Sequence, residues 1–183
     1  ACVMLRSLSQ AKSFHTLKEL RLSEIELEGV DVSSLAESNA FPMLERLFLD
    51  NNKLNSFSAK KLANSTAFPM LRELHLGLNM LEGEGVKALC HSTTLANLEY
   101  LDLRANMIGD VGAKALARTK AFPRLSQLNL SFNGILATGA RALVRSELVK
   151  KLDRLDLTST KCTQRTLEKL IEECEKRKLN VEF

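Results

Sequence analysis

The sequence repeats itself every 27 residues, and this period limits the possible folds more than any other feature. A run of the form L-x-x-L-x-L starts at residues 17, 44, 71, 98, 125 and 152, with no insertion or deletion between the copies. A second leucine series keeps the same spacing: Leu8, Leu35, Leu62, Leu89, Leu116, Leu143 and Leu170. A fixed period of this length predicts stacked units, each too small to bury its own apolar face.

Each unit combines the pattern of a strand with that of a helix. The last leucines of each run alternate with other residues, which is the period of a strand. The helical part carries small residues and leucine on one face, as in 112–117, and a Phe-Pro pair such as Phe41-Pro42 leads into the next strand. We therefore predict an α/β solenoid, a horseshoe arc with a parallel concave sheet and convex helices.

Two further series indicate how the units are held together. One series is polar, and its amides can bond backbone groups of their own turn and of the neighbouring turn, so we expect an asparagine ladder: Asn52, Asn79, Asn106 and Asn133. The other series is aromatic and is expected to fill space between helix and strand: Phe14, Phe41, Phe68 and Phe122.

The run L-x-x-L-x-L-x-x-N-x-[LI] resembles the signature of leucine-rich repeat proteins, and it covers the whole chain. Residues 98–116, LEYLDLRANMIGDVGAKAL, resemble the helix-bearing, ribonuclease-inhibitor-like subclass, which includes the Ran GTPase-activating proteins and nucleotide-binding immune receptors. This chain departs from the subclass in two ways. It keeps 27 residues per unit, and Ser56 and Ser58 stand where glycine is common.

We expect residues 1–183 to form one domain. Residues 1–16 would be the leading helix of a preceding repeat or an N-terminal cap, 17–162 the repeats, and 163–183 a C-terminal capping helix and strand. The capping helix is predicted at about Gln164–Lys178, because terminal repeats need a polar outer face. A hydrophobic content of 45% and a net charge of +4 argue against disorder. No stretch approaches the roughly 18 apolar residues of a membrane span.

Positions beside the inner leucines project onto the predicted concave face, and they vary while the core positions do not. Aromatic residues and arginine among mixed charges are typical of protein-binding surfaces. The predicted partner-binding residues are Arg21, Arg46, Phe48, Glu73, His75, Tyr100, Asp102, Arg104, Gln127, Asn129, Phe132, Arg154 and Asp156. The proposed anchors are Phe48, Tyr100 and Phe132. The residues expected to meet carboxylates of the partner are Arg46, Arg104 and Arg154. The alternative is a solvated face whose charges pair between neighbouring strands.

Other kinds of site find little support in the sequence. His75 and Asp102 occupy equivalent positions of adjacent strands, but Ser131, the conceivable nucleophile, is two strands from His75, so we expect no enzyme. The four cysteines show no C-x-x-C spacing, so we expect no metal site, and no motif indicates a cofactor. The concave positions of the predicted strands hold four arginines against five carboxylates: Glu19, Asp50, Glu73, Asp102 and Asp156. This balance argues against nucleic acid as a partner, because a nucleic-acid site needs a basic surface.

The predicted function is therefore a non-catalytic module that binds a protein or peptide on its concave sheet. The alternative, which follows from the resemblance, is a regulator of the Ran GTPase-activating type that acts on a small GTPase. We expect a monomer without membrane contact. We also expect a cytoplasmic location, because unpaired thiols suit a reducing compartment.

Overall fold

The computed structural model describes Ser7 and residues 14–183. In this part of the chain, seven parallel strands form one sheet in sequence order. The strands are β1 (Glu19–Arg21), β2 (Arg46–Phe48), β3 (Glu73–His75), β4 (Tyr100–Asp102), β5 (Gln127–Asn129), β6 (Arg154–Asp156) and β7 (Val181–Glu182). From β1 to β6, each residue pairs with the residue 27 positions later, as Glu19 does with Arg46. The sequence period therefore sets the register of the sheet.

One helix follows each of the first six strands. The helices are α1 (Gly29–Ala36), α2 (Ser56–Ala63), α3 (Glu82–Leu89), α4 (Gly109–Arg118), α5 (Ala137–Val144) and α6 (Gln164–Arg177), and a short 3₁₀-helix covers Val149–Lys151. Successive helices contact each other, as successive strands do. The chain is thus the predicted α/β solenoid, with an open parallel sheet on one side and a layer of helices on the other.

The core lies between these two layers and runs through the described repeats without interruption. The middle residue of each three-residue strand, β1 to β6, points into it, and Leu47, Leu74 and Leu101 are fully buried. The phenylalanine series lies in the same core, where the ring centroids of Phe14 and Phe41 are 5.9 Å apart. The prediction that these rings fill the space between helix and strand is confirmed.

The asparagine ladder is also confirmed, and Asn106 shows how it works. Its side-chain N–H groups donate to the carbonyl oxygens of Leu76, Leu103 and Arg104, and its oxygen accepts the N–H of Leu81 at 3.2 Å. Asn106 is completely buried, so these contacts replace water for its amide. Leu76 and Leu81 belong to the preceding repeat, and the ladder therefore joins one unit to the next.

The C-terminal segment largely follows the prediction. Helix α6 ends at Arg177, one residue before the predicted end, and Lys178 adopts a left-handed conformation with a φ of 56°. Strand β7 pairs in parallel with β6. The predicted leading helix, with Cys2 and Leu8, lies almost wholly outside the described residues. None of the described helices is both long and apolar enough to cross a bilayer.

Candidate partner-binding face

Parallel pairing places Arg21, Phe48 and His75 side by side at equivalent strand positions on the concave face. Tyr100, which pairs with Glu73 in the sheet, continues their row of contacts. The guanidinium carbon of Arg21 lies 3.9 Å from the ring centroid of Phe48. The Phe48 and His75 centroids are 4.1 Å apart, and those of His75 and Tyr100 are 4.8 Å apart. We call these four residues, three rings and the arginine that covers the first of them, the aromatic row. The sequence predicted the residues, but it did not predict that they would contact one another.

Each concave arginine already has a carboxylate beside it. Glu19 accepts a hydrogen bond from the Nε of Arg46 at 2.8 Å and from that of Arg21 at 2.6 Å, and the two bonds lower the pKa of the Glu19 carboxyl. Nη2 of Arg154 donates to Glu182 at 2.9 Å. Two of these pairs, Arg46–Glu19 and Arg154–Glu182, join neighbouring strands, as in the alternative interpretation of a self-paired face.

The fourth arginine belongs to a cluster at the centre of the face. Nε of Arg104 lies 3.7 Å from Oδ2 of Asp102. The Arg104 side chain crosses Gly77, where a Cβ atom would meet Cγ of Arg104 at 2.8 Å, so a larger residue there would displace Arg104 from this position. The backbone N–H of Gly77 donates to Oδ1 of Asp50 at 3.0 Å. The cluster therefore brings Asp50 and Asp102 to the two ends of the short stretch that the Arg104 side chain crosses, with Asp102 as its ion-pair partner.

Asp102 corrects one prediction. It was expected to contact a partner, but only 4% of the residue is exposed. Burial raises the pKa of its carboxyl, although the group accepts the backbone N–H of Arg104 at 2.9 Å. Its place in the sheet was visible in the sequence. Its burial was not, because burial depends on the directions of the surrounding side chains.

A metal ion could be held at the same place. Among the described residues, Asp50, His75 and Asp102 offer ligand atoms within 4.8 Å of one another. Arg104 already provides positive charge beside Asp102, so the cluster does not need a cation for charge balance. We assign no ion to it.

The groups considered for catalysis are turned towards other partners. His75 and Asp102 are paired across β3 and β4 as predicted, but Nε2 of His75 lies 3.3 Å from a carboxylate oxygen of Glu73. The hydroxyl of Ser131 donates to the side chain of Asn129 at 2.7 Å. Ser131 is therefore hydrogen-bonded within its own repeat and is not directed at an imidazole base.

Tyr100 stands between two cavities of different size. The larger cavity, which we call the Tyr100 cleft, has a volume of about 280 Å³. It is lined by Glu73, His75, Glu99, Tyr100, Ser126 and Gln127. The second cavity measures about 80 Å³ and is lined by Tyr100, Gln127, Leu128, Asn129, Arg154 and Asp156. The predicted residues Gln127, Asn129 and Asp156 thus lie near Tyr100, while Glu99 and Ser126 were missed.

Phe132 lies apart from this centre, at the edge where the strands lead into the helices. It is 64% exposed and has a φ of 57°. The equivalent residue two repeats earlier, Leu78, is 47% exposed with a φ of 56°. The left-handed conformation recurs at the same position of the other repeats, as at Glu24, Asn51 and Ser159, so it belongs to the turn after each strand and does not by itself mark a functional site. Leu78 was not among the predicted contacts, although its repeat position matches that of Phe132.

Comparison with known proteins agrees with the fold. The family model described as Leucine Rich repeat matches residues 69–90, 94–117 and 125–144, three stretches in consecutive repeats. Together with the 27-residue strand register, this match shows that the chain is a leucine-rich repeat protein. No curated protein matches the sequence.

Proposed function

We propose that the protein is a non-catalytic interaction module that binds a folded protein or a peptide on its concave sheet. The aromatic row is the observation that carries this proposal. Phe48, His75 and Tyr100 are half-buried and lie on a sheet face that has no helix over it among the described residues. Partly exposed aromatic side chains beside arginine are typical centres of protein interfaces.

The face is also held in place before a partner arrives. The rings of Phe48, His75 and Tyr100 contact one another, and ion pairs join Arg21 and Arg46 to Glu19. Ordering a flexible side chain on binding costs about 0.5–1.5 kcal/mol. A surface that is already ordered avoids much of this cost, which supports a role in recognition.

The test compares one double variant of the concave face with one single variant of the helical side. We expect Phe48→Ala with Tyr100→Ala to weaken binding by more than about 30-fold, which corresponds to about 2 kcal/mol at an interface centre. The partner is first isolated from cell extract and then purified, and affinities are measured by calorimetry. Phe57→Ala is the matched control, since Phe57 is 49% exposed on α2 at the helical side. Unchanged affinity of the double variant, with an unchanged circular dichroism spectrum, would refute the proposal.

The resemblance of residues 98–116 to the ribonuclease-inhibitor-like subclass supports a narrower proposal, a regulator of a small GTPase. Stimulated GTP hydrolysis in a panel of small GTPases would establish it, and unchanged rates would remove it.

We also propose a cytoplasmic monomer. The unpaired thiols of Cys90, Cys162 and Cys174 support this location, and light scattering and cell fractionation test the two parts separately.

A further inference from the structure

We infer that the Tyr100 cleft receives a positively charged side chain, arginine or lysine, presented by the partner. This inference rests on the proposed function, and it names the chemistry that the concave face recognises. It reverses the direction predicted from the sequence, in which arginines of this chain would contact carboxylates of the partner.

The charges that remain available on the face support a cationic ligand. Arg21 and Arg46 share Glu19, and Arg154 is paired with Glu182. In contrast, the ion-pair neighbour that the structure gives Glu73 is His75, which carries charge only when protonated. A partner that approaches the centre of the sheet therefore meets arginines that each already contact a carboxylate, and a glutamate, Glu73, whose ion-pair neighbour is a histidine.

The lining of the cleft suits a cation. Glu73 and Glu99 both line it, with side chains that are 38% and 45% exposed. Glu99 also accepts a hydrogen bond from Arg72 at 3.2 Å, so a cation in the cleft would share this carboxylate with Arg72. The ring of Tyr100 forms another part of the lining, and an aromatic face attracts a cation placed over it.

The size of the cleft favours one side chain over a larger ligand. Its volume of about 280 Å³ equals about nine water volumes and lies just below the usual range of small-molecule pockets, about 300–1,000 Å³. The cavity on the other side of Tyr100, at about 80 Å³, is smaller and includes Arg154 in its lining. It is thus less suited to a cation in both size and charge.

Tyr100 provides the readout. It is the only tyrosine, and the chain has no tryptophan, so the intrinsic fluorescence of the protein reports on this cleft. The purified protein is titrated with the peptide Ac-Gly-Arg-Gly-NH₂, with its uncharged citrulline analogue and with Ac-Gly-Glu-Gly-NH₂. We expect a saturable change with the arginine peptide and at least tenfold weaker binding of the other two. No saturable change, or equal binding of the citrulline peptide, would overturn the inference.

Variants then identify the carboxylates. We expect Glu73→Gln and Glu99→Gln each to weaken binding of the arginine peptide at least fivefold while the circular dichroism spectrum is unchanged. Glu147→Gln is the matched control, because Glu147 is exposed and paired with Lys150, far along the chain from the cleft. Binding that survives both cleft substitutions, or that Glu147→Gln weakens equally, would contradict the assignment.

The same variants separate this inference from the proposed function. If Phe48→Ala weakens binding of the purified partner but Glu73→Gln with Glu99→Gln does not, the cleft is wrong and the interaction module stands. If all three substitutions leave the affinity for the partner unchanged, the concave face is not the interface. In that case the peptide titration still decides whether the cleft binds a cation.

Discussion

Replacing Asn106 by alanine tests the ladder that joins the repeats. The substitution removes the one acceptor that the structure gives the backbone N–H of Leu81. It also removes the donor that serves three carbonyls, those of Leu76, Leu103 and Arg104. These carbonyls keep a second donor each, from Asn79, Asn133 and the backbone N–H of Leu78 respectively. The main loss is therefore a single buried, unpaired N–H group.

The size of the effect follows from this count. An unpaired buried donor costs about 1–3 kcal/mol, and each lost hydrogen bond whose acceptor keeps another partner costs about 0.5–1.5 kcal/mol. The amide of Asn106 has two N–H groups, so the two contributions together amount to about 2–6 kcal/mol. We expect the free energy of unfolding to fall by an amount in this range.

The measurement is urea unfolding followed by circular dichroism, with Asn64→Ala as the control. Asn64 is exposed and donates one hydrogen bond, to the carbonyl oxygen of Lys60 at 3.0 Å. Its loss should change stability by less than about 0.5 kcal/mol. If Asn106→Ala were as stable as Asn64→Ala, the ladder would not stabilise the stack, and the reasoning from buried polar groups would be refuted.

Two further substitutions test the core and the central cluster. Leu101→Ala empties a fully buried position and should cost about 2–5 kcal/mol in urea unfolding; a variant as stable as wild type would contradict the register. Burial raises the pKa of Asp102, so between its usual and raised values the folded protein binds more protons, and wild type loses stability as pH rises. Asp102→Asn keeps an oxygen that can accept the Arg104 N–H, and it does not lose stability through ionisation of a buried carboxyl. Its stability relative to wild type should therefore increase from about pH 3 to about pH 7, and a decrease would refute the argument.

The period of the sequence was enough to predict the layers, the strand register and most of the core. Equivalent residues 27 positions apart must lie side by side once the units stack, so the pairing of Leu47 with Leu74 needs no other information. The ladder followed from the same reasoning, because Asn106 is too polar to be buried at a repeated position without backbone partners.

The state of the concave side chains could not be predicted in this way. Repeat position shows that Arg21, Phe48 and His75 are neighbours, but side-chain rotamers decide whether their flat groups stack. Arg104 lies across Gly77, where a missing Cβ leaves space, and Asp102 is buried beside it. Contacts of this kind come from side-chain directions in three dimensions, which a one-dimensional period does not contain.

Charge pairing within the sheet changes what the concave face can recognise. Counting residues suggests a nearly neutral surface with four arginines ready for a partner. The structure shows that Arg21 and Arg46 both contact the single carboxylate of Glu19 before any partner arrives. An arginine held in this way keeps its carbon chain as contact surface but offers less attraction to an incoming carboxylate, since the two acids would repel each other. Glu73, whose ion-pair neighbour is His75, stays more available to an incoming cation, and it lies beside an aromatic ring and a cavity.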